Sequence, residues 1–294
     1  VIVYGIVERY GLANLLIATM LAGVLLFAIG AFRLGNLIRY IPVSIVIGFT
    51  NGIAVLIFLA QVRDFLGLRV DKVPAEFFSM ARTLFGHLDT AQWPAIVMSA
   101  SGLVLLRLWP KAWARRAPPT VILLIAATAV TALANLPVET IGSRFGGIPR
   151  SLPMPVLPQV TLAHLRDLIV PAFTIALLAA IESLLCAVVA DKMTRDKHDA
   201  NQELMAQGIA NFASGLFGGI PATGAIARTT ANIKSGALSP VAGMIHAVVL
   251  LTIILIAAPL AKSVPLAALS AILMSVAIDM GEWSVFRTFP QYSF

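Results

Sequence analysis

Charged residues are scarce in this sequence. Only 12% of its 294 residues are charged and 59% are hydrophobic, whereas a soluble domain carries about 25% charged residues. A soluble helical core would also need polar faces on its helices, and the long apolar stretches of this chain have almost none. The chain has a single cysteine, Cys186. A single cysteine excludes a disulfide within the chain and a zinc cluster of cysteines. These shortages favour an integral membrane protein.

Catalytic and metal-binding groupings are also missing. Neither a Ser/His/Asp arrangement nor a metal-ligand spacing can be argued from the scattered histidines His87, His164, His198 and His246. We therefore predict no enzyme, no metal site and no cofactor. The net charge of +7 could suggest a nucleic-acid partner, but the basic residues lie in short loops between apolar stretches. The positive-inside rule predicts that these loops are cytoplasmic: Leu106–Ala117, with Arg107, Lys111, Arg115 and Arg116, and Asp191–Asn201.

Long hydrophobic runs, by contrast, follow one another along the chain. A helix needs about 20 mostly apolar residues to cross the bilayer core. The stretches that approach or meet this length are Leu12–Phe32, Pro42–Val62, Pro118–Leu136, Leu168–Ala190 and Pro240–Leu260. Weaker stretches indicate shorter or tilted spans, namely Pro94–Trp109, Glu203–Phe217 and Pro265–Met280. The pattern predicts an all-α, multi-pass protein in a lipid bilayer.

Two long connectors interrupt the spans. Arg63–Ala91 mixes charged and large apolar residues, and we expect an amphipathic segment at the membrane interface. Asn135–Leu165 contains five prolines, too many for a helix interior, and divides the chain into halves. A basic residue and a proline precede a span in both halves, at Leu37–Pro42 and Leu260–Pro265. This similarity between the two halves can arise by chance or from an internal repeat of opposed topology, and the sequence does not favour the repeat over chance.

Glu182 is the first residue that departs from plain membrane packing, because Leu168–Ala190 contains no other charge. An ionisable group inside a span costs about 2.5–3.5 kcal/mol on insertion scales and marks a candidate functional site. The alternative is a protonated carboxyl group that bonds to a neighbouring helix. Cys186 lies four residues further on the same helix face, where a small packing role is the simpler interpretation.

The segment Gly218–Gly224 is the second departure, because its glycines and Pro221 break a helix. A helix from about Ala225 to Lys234 would be about 15 Å long, half the bilayer. Its start would offer free backbone N–H groups and the positive end of a helix dipole, which suits an anion. Arg228 adds a positive charge in the first turn, unless it pairs with Glu182 or caps a carbonyl group. A surface loop is the alternative interpretation, and no Gly-Lys-Ser/Thr follows to make a phosphate-binding loop.

The polar segment Asp191–Glu203 is best interpreted as a solvated turn between helices. Asp199 and Gln202 are placed as a capping pair for the following helix. His198 lies among carboxylates without the spacing that a metal site requires. We assign this segment no catalytic role.

Several strings resemble the sulfate permease (SulP) family of anion transporters along essentially the whole chain. Ala179–Asp191 (AAIESLLCAVVAD) resembles the eighth span of that family. The other matching strings, which are similar to spans four, five, nine and ten, are Arg39–Pro42, Gly48–Ile53, Asp64–Leu68, Asn201–Leu204, Gly208–Asn211 and Phe217–Gly224.

This resemblance implies a fold of fourteen segments in two inverted repeats of seven, which form a core and a gate domain with broken helices. On that plan the chain runs from about segment three to segment twelve. Residues 1–135 would belong to the first repeat, residues 136–167 to a linker and residues 168–294 to the second repeat. The usual STAS domain and the remaining spans would lie outside the chain.

The resemblance also implies a function, which is secondary active anion transport by an elevator motion in the inner membrane of a bacterium. Sulfate or a C4-dicarboxylate is the expected substrate, with bicarbonate as a further candidate. A homodimer is the expected assembly. An anion exchanger, a channel-like protein and a sodium-coupled bicarbonate transporter are the alternatives.

By position, the substrate-binding residues implied are Thr223, Gly224, Ala225, Ile226, Ala227 and Arg228. Glu182 and Cys186 match the coupling-ion or substrate site of the eighth span. Sodium-coupled relatives have threonines where this chain has Cys186 and Ile226, and neither side chain is a good ligand for a hard cation. The resemblance therefore favours protons over sodium.

Overall fold

The computed structural model describes residues 2–35, 43–74, 76–110, 113, 117–148, 154–156, 158, 162–281 and 283. Several residues used above lie outside this part of the chain: the motif Leu37–Pro42, the loop residues Lys111, Arg115 and Arg116, and Pro149 and Pro153 of the linker.

The described residues are helical almost throughout. The helices are α1 (Ile2–Tyr10), α2 (Leu12–Ala31), α3 (Val43–Leu66), α4 (Phe77–Phe85), α5 (Trp93–Leu108), α6 (Pro119–Leu133), α7 (Ile141–Phe145), α8 (Leu162–Thr194), α9 (Ala200–Leu216), α10 (Ile226–Lys234), α11 (Val241–Ala261) and α12 (Leu266–Met280). In this part of the chain, β structure is limited to one isolated bridge between Thr140 and Pro265. The all-α prediction is confirmed.

The long spans lie close to their predicted places. By length and composition, four described helical stretches can cross a membrane: Leu12–Ala31, Ile47–Leu66, Leu165–Thr194 and Val241–Ala261. The helix α8 is longer than the predicted span, since it begins before Leu168 and continues beyond Ala190. The additional residues at both ends include charged ones, which lie outside the apolar stretch. The predicted span Pro118–Leu136 is too long, since α6 has 15 residues. Asn135 adopts a left-handed conformation (φ 47°) and so ends that helix.

One compact unit combines residues 1–42 with residues 152–245. Its helices α2, α8 and α9 pack on one another around small and branched apolar side chains. A Cβ atom added to Gly208 of α9 would lie 2.6 Å from the Gly23 carbonyl oxygen of α2. The two helices therefore touch through their backbones, as small residues allow in membrane proteins.

The other compact unit combines residues 43–151 with residues 246–294, so each unit draws on both halves of the chain. Here α12 packs against α3, α5 and α6. The connector after α3 forms α4, which buries Met80 and Leu84 and exposes Phe78 and Phe85. The place of α4 at the membrane interface stays a prediction.

A polar cluster closes one end of this second unit. Arg144 lies within the Pro-rich connector and bonds to Asp64, with 2.7 Å between Nη1 and Oδ1, and also to Glu139. The backbone N–H of Gly142 donates to the Lys262 carbonyl oxygen at 2.8 Å. These contacts fasten the connector to the end of α3 and to the turn between α11 and α12.

Candidate functional site

The helix α9 ends at Leu216, and the chain then loses helical structure until α10 begins at Ile226. Phe217 and Gly218 form a turn in which Gly218 has a φ of 74°, a conformation that favours glycine. The break and the start of α10 agree with the sequence prediction. Their depth in the membrane stays a prediction.

The last part of the break is held by α8. The backbone N–H of Gly224 donates to the Ser183 hydroxyl at 3.1 Å, and the hydroxyls of Ser183 and Thr223 lie 3.0 Å apart. The Thr223 hydroxyl donates in turn to the Ala179 carbonyl oxygen at 3.2 Å. These bonds form one continuous chain of donors and acceptors, which seats the residues just before α10 on the middle of α8.

The first part of the break is held by α9. The amide of Asn211 bonds to both backbone groups of Ala222: its Oδ1 accepts from the N–H and its Nδ2 donates to the carbonyl oxygen, each at 2.9 Å. Gln207 donates to the same carbonyl oxygen. The Ser214 hydroxyl donates to the Ile220 carbonyl oxygen at 2.9 Å. The broken segment is thus anchored to helices on both sides.

Gly224 approaches α8 so closely that a side chain cannot fit without movement. A Cβ atom added there would lie 3.1 Å from both the Cβ of Cys186 and the Cα of Ser183. Cys186 is buried, and its thiol donates to the Thr229 hydroxyl of α10 at 3.1 Å. Glycine at this position therefore allows α8 and the start of α10 to touch.

The start of α10 offers backbone donors. The N–H of Thr229 donates to the Ala225 carbonyl oxygen at 2.9 Å, and this is the first helical turn. The N–H groups of the three preceding residues, Ile226, Ala227 and Arg228, have no acceptor inside the helix. Together with the helix dipole they make a site suited to an anion.

Two charged residues flank this site, and they do not neutralise each other. Glu182 is half-buried on α8, next to Ser183, and has no hydrogen-bond or ion-pair partner among the described residues. Arg228 is exposed, and the alternative in which it pairs with Glu182 is not observed. Glu182 thus precedes Ser183, which holds Gly224, and is not paired with Arg228.

A cavity of about 410 Å³ adjoins the contact between α8 and α10. Among the described residues, its lining carries the carboxylates Asp191 and Glu203 but no lysine or arginine. His198 lies in the same wall, with its Nδ1 2.7 Å from the Asp191 Oδ2. The described part of this lining is therefore acidic.

The turn between α8 and α9 has the structural role that the sequence predicts. Asp199 caps α9, with its carboxylate accepting the N–H groups of Asn201 at 2.8 Å and Gln202 at 3.2 Å. These backbone donors, Gln202 first, lower the pKa of Asp199 below its ordinary value. In the described part of the chain, no group of His, Cys, Asp and Glu could hold a metal ion.

The structure brings the predicted residues from Thr223 to Arg228 next to the turn of α8 that carries Glu182 and Cys186. Sequence reasoning missed Ser183, Asn211 and Thr229, which hold the site together. Their signal is weak, because a serine, threonine or asparagine in a membrane helix can bond to any neighbouring helix, and the sequence does not show which one. Asn211 offers the best clue, since it lies in the last span before the break.

The fold and the site define a class of protein: an integral membrane protein of inverted-repeat, broken-helix architecture. The profile of the sulfate permease family matches residues 2–293. The chain therefore belongs to the sulfate permease family. The names of its relatives describe transporters and not enzymes.

Similar proteins carry names that refer to two anions. "Putative sulfate transporter YvdB" of Bacillus subtilis is 47% identical over 96% of this chain and 53% of its own length. "Bicarbonate transporter BicA" of Synechocystis is 32% identical over 94% of this chain and 48% of its own length. The chain thus spans about half the length of these curated relatives.

Solved structures share the fold. The transmembrane domain of a cyanobacterial bicarbonate transporter BicA has a TM-score of 0.87 at 30% identity, over 97% of this chain and 73% of that chain. SLC26A9 has a TM-score of 0.81 at 20% identity, over 96% of this chain and 46% of its own, and it supports the fold alone. The predicted fold class is confirmed.

Proposed function

We propose that this protein is a secondary active transporter of a small anion and that the start of α10 binds the anion. One observation carries the proposal: a helix start whose first N–H groups have no acceptor inside the helix is anchored to α8 and α9, and its anchor Ser183 follows Glu182 directly on α8. The substrate-binding residues are Thr223, Gly224, Ala225, Ile226, Ala227 and Arg228.

Sulfate is the first candidate substrate, because a relative named for sulfate is 47% identical. A C4-dicarboxylate is an alternative of similar charge. Bicarbonate is a second candidate, supported by the similarity in sequence and structure to proteins named as bicarbonate transporters.

We propose protons as the coupling ion, with Glu182 as the group that carries them. A sodium ion needs several oxygen ligands, whereas Cys186 presents sulfur and Ile226 a hydrocarbon chain. The cavity beside Cys186, with its acidic lining, offers protons a route to this part of the protein.

The transport cycle that fits this site is an elevator motion. In it the unit that carries α8 and α10 moves as the core domain of a homodimer in a bacterial inner membrane. The loop between α8 and α9 would face the cytoplasm, as its basic residues suggest. An exchanger or a channel-like protein is the alternative.

Uptake by the full-length protein in proteoliposomes tests this function. Labelled sulfate, succinate and bicarbonate would each be offered under a pH gradient, a sodium gradient or neither. We expect saturable uptake of one anion that an inward proton gradient drives and that sodium leaves unchanged. Dependence on sodium would contradict proton coupling, non-saturable flux would indicate a channel, and the absence of uptake for all three anions would contradict the proposed substrates.

A further inference from the structure

We propose that Asn211 is a positioning residue for the anion site: through Ala222 it fixes where α10 begins. The inference rests on the proposed function, because it concerns the site to which that function is assigned. Asn211 lies on α9 and would act through the backbone of the broken segment without touching the anion.

Asn211 is fully buried. Its amide bonds to Ala222 in the broken segment and to Gln207 of its own helix. Its Oδ1 accepts one hydrogen bond and its Nδ2 donates two, to the carbonyl oxygens of Ala222 at 2.9 Å and of Gln207 at 3.0 Å. The N–H group of Ala222 donates to the amide and its carbonyl group accepts from it, so the amide replaces the hydrogen bonds that a neighbouring strand would make in a sheet.

The chemistry of the side chain explains why an amide is required. Ala222 lies in non-helical backbone, whose N–H and carbonyl groups need partners wherever water is excluded. A carboxamide has a donor and an acceptor on one planar group, whereas a hydroxyl group is shorter and a carboxylate only accepts. Asparagine can therefore bond to both groups of Ala222 while it stays uncharged.

The position of Asn211 on α9 gives the anchor its rigidity. The buried residues of α9 are Leu204, Gly208, Asn211 and Gly215, one stripe along the helix. Gly208 and Gly215, on either side of Asn211, touch the backbone of α2 directly. The helix that carries the amide is therefore packed backbone to backbone against α2.

The distance from this anchor to the site is short. Two residues after Ala222 the chain reaches Gly224, whose N–H rests on Ser183, and two residues later α10 begins at Ile226. A shift of Ala222 therefore moves the donors that we assign to the anion. Loss of the anchor should weaken anion binding more than it slows turnover.

The substitution Asn211→Thr tests this role. Threonine has a similar volume and no charge, and its hydroxyl can bond back to the carbonyl group four residues earlier, but it is too short to hold Ala222. Asn14→Thr is the matched control, because the Asn14 amide of α2 also bonds to the carbonyl group four residues earlier, that of Tyr10 at 2.8 Å. Gln207→Ala is a milder variant that removes one donor to Ala222.

Two measurements separate positioning from general stability. The first is the KM and kcat of anion uptake by the full-length protein. The second is the rate at which N-ethylmaleimide alkylates Cys186, followed by mass spectrometry of its peptide. Cys186 is 6% exposed and Gly224 packs against its Cβ atom, so a faster alkylation of its thiol reports that the segment has moved away from α8, even if no anion is transported.

For Asn211→Thr we expect KM to rise about tenfold, equivalent to about 1.4 kcal/mol, with kcat within about twofold, and Cys186 to react several times faster. Gln207→Ala should change KM and alkylation in the same direction by about threefold, and it decides the matter if Asn211→Thr does not fold. Asn14→Thr should change neither quantity. A folded variant with wild-type KM and wild-type alkylation overturns the proposal. If the wild type transports no anion, the proposed function fails, and alkylation alone decides whether Asn211 positions the segment.

Discussion

The hydroxyl of Ser183 accepts the backbone N–H of Gly224 at 3.1 Å, across 41 residues of sequence. This bond joins the middle of α8 to the break before α10. A serine side chain is short, so the backbone of Gly224 must lie close to α8 for this hydrogen bond to form. The place of the N–H groups that we assign to the anion therefore depends on a glycine at position 224.

Replacing Gly224 by alanine should impair transport. The new Cβ would lie 3.1 Å from backbone and Cβ atoms of α8, which cannot rotate away as the end of a flexible side chain could. Overpacking of this kind costs about 1–3 kcal/mol, so we expect kcat/KM for anion uptake to fall about ten- to hundredfold. Gly5→Ala is the control, because nothing lies within 4 Å of its added Cβ. Wild-type uptake by Gly224→Ala would show that the close contact is not needed.

Replacing Glu182 by glutamine should uncouple transport from pH. The glutamine keeps the size of the side chain but cannot gain or lose a proton. In the wild type we expect acidic external pH to stimulate uptake, and in Glu182→Gln we expect that stimulation to disappear. Initial uptake rates between pH 5 and pH 8 measure the effect. If the variant keeps the wild-type pH profile, another group couples the proton.

The sequence predicts the spans and the break because both depend on local composition. Apolar stretches fix the helices, and the glycines and Pro221 fix the gap before Ile226. The anchors could not be predicted, since the bonds of Ser183 and Asn211 depend on which helices become neighbours. The packing of α2 against α9 could not be predicted either, because a glycine in the sequence indicates a close approach but not the helix that approaches.

Gly208→Ala should destabilise the unit that contains α2 and α9. Its added Cβ would lie 2.5 Å from the Phe27 backbone nitrogen and 2.6 Å from the Gly23 carbonyl oxygen. The helices would have to separate, at a cost of about 1–3 kcal/mol. Thermal unfolding in detergent should show a lower Tm than for Gly52→Ala, whose added Cβ meets nothing within 4 Å. Equal Tm values would contradict the backbone contact.

Arg144→Ala should cost more stability than Arg107→Ala. Arg144 and Asp64 are largely buried, at 16% and 20% side-chain exposure, and removing the arginine leaves a carboxylate without its partner. Breaking a buried pair costs about 3–5 kcal/mol. The pair of Arg107 with Asp279 is exposed, at 42% and 62%, and such pairs contribute about 0–1 kcal/mol. Denaturant unfolding of the two variants compares them, and an equal loss would mean that the Asp64 pair is dispensable.

Asp199→Asn should remove a pH dependence of stability. The backbone N–H groups of Gln202 and Asn201 lower the pKa of Asp199 in the folded protein. Its stabilising contribution is therefore complete above the unfolded pKa of about 3.9 and is lost as the pH falls through the lower, folded value. Asparagine caps a helix without titrating. We expect the Tm difference between wild type and Asp199→Asn to change below about pH 4 and to stay constant above it; a constant difference throughout would contradict the shift.

The backbone contact between Gly23 and Gly208 also determines which parts of the protein can move. Two helices that touch through their main chains can neither roll nor slide past each other without a steric clash, so α2 and α9 behave mechanically as one solid part. Asn211 lies on α9, and its amide holds the broken segment at Ala222. Any displacement that carried the proposed anion site across the membrane would therefore carry α2 along, although none of the residues that we assign to that site lies on α2.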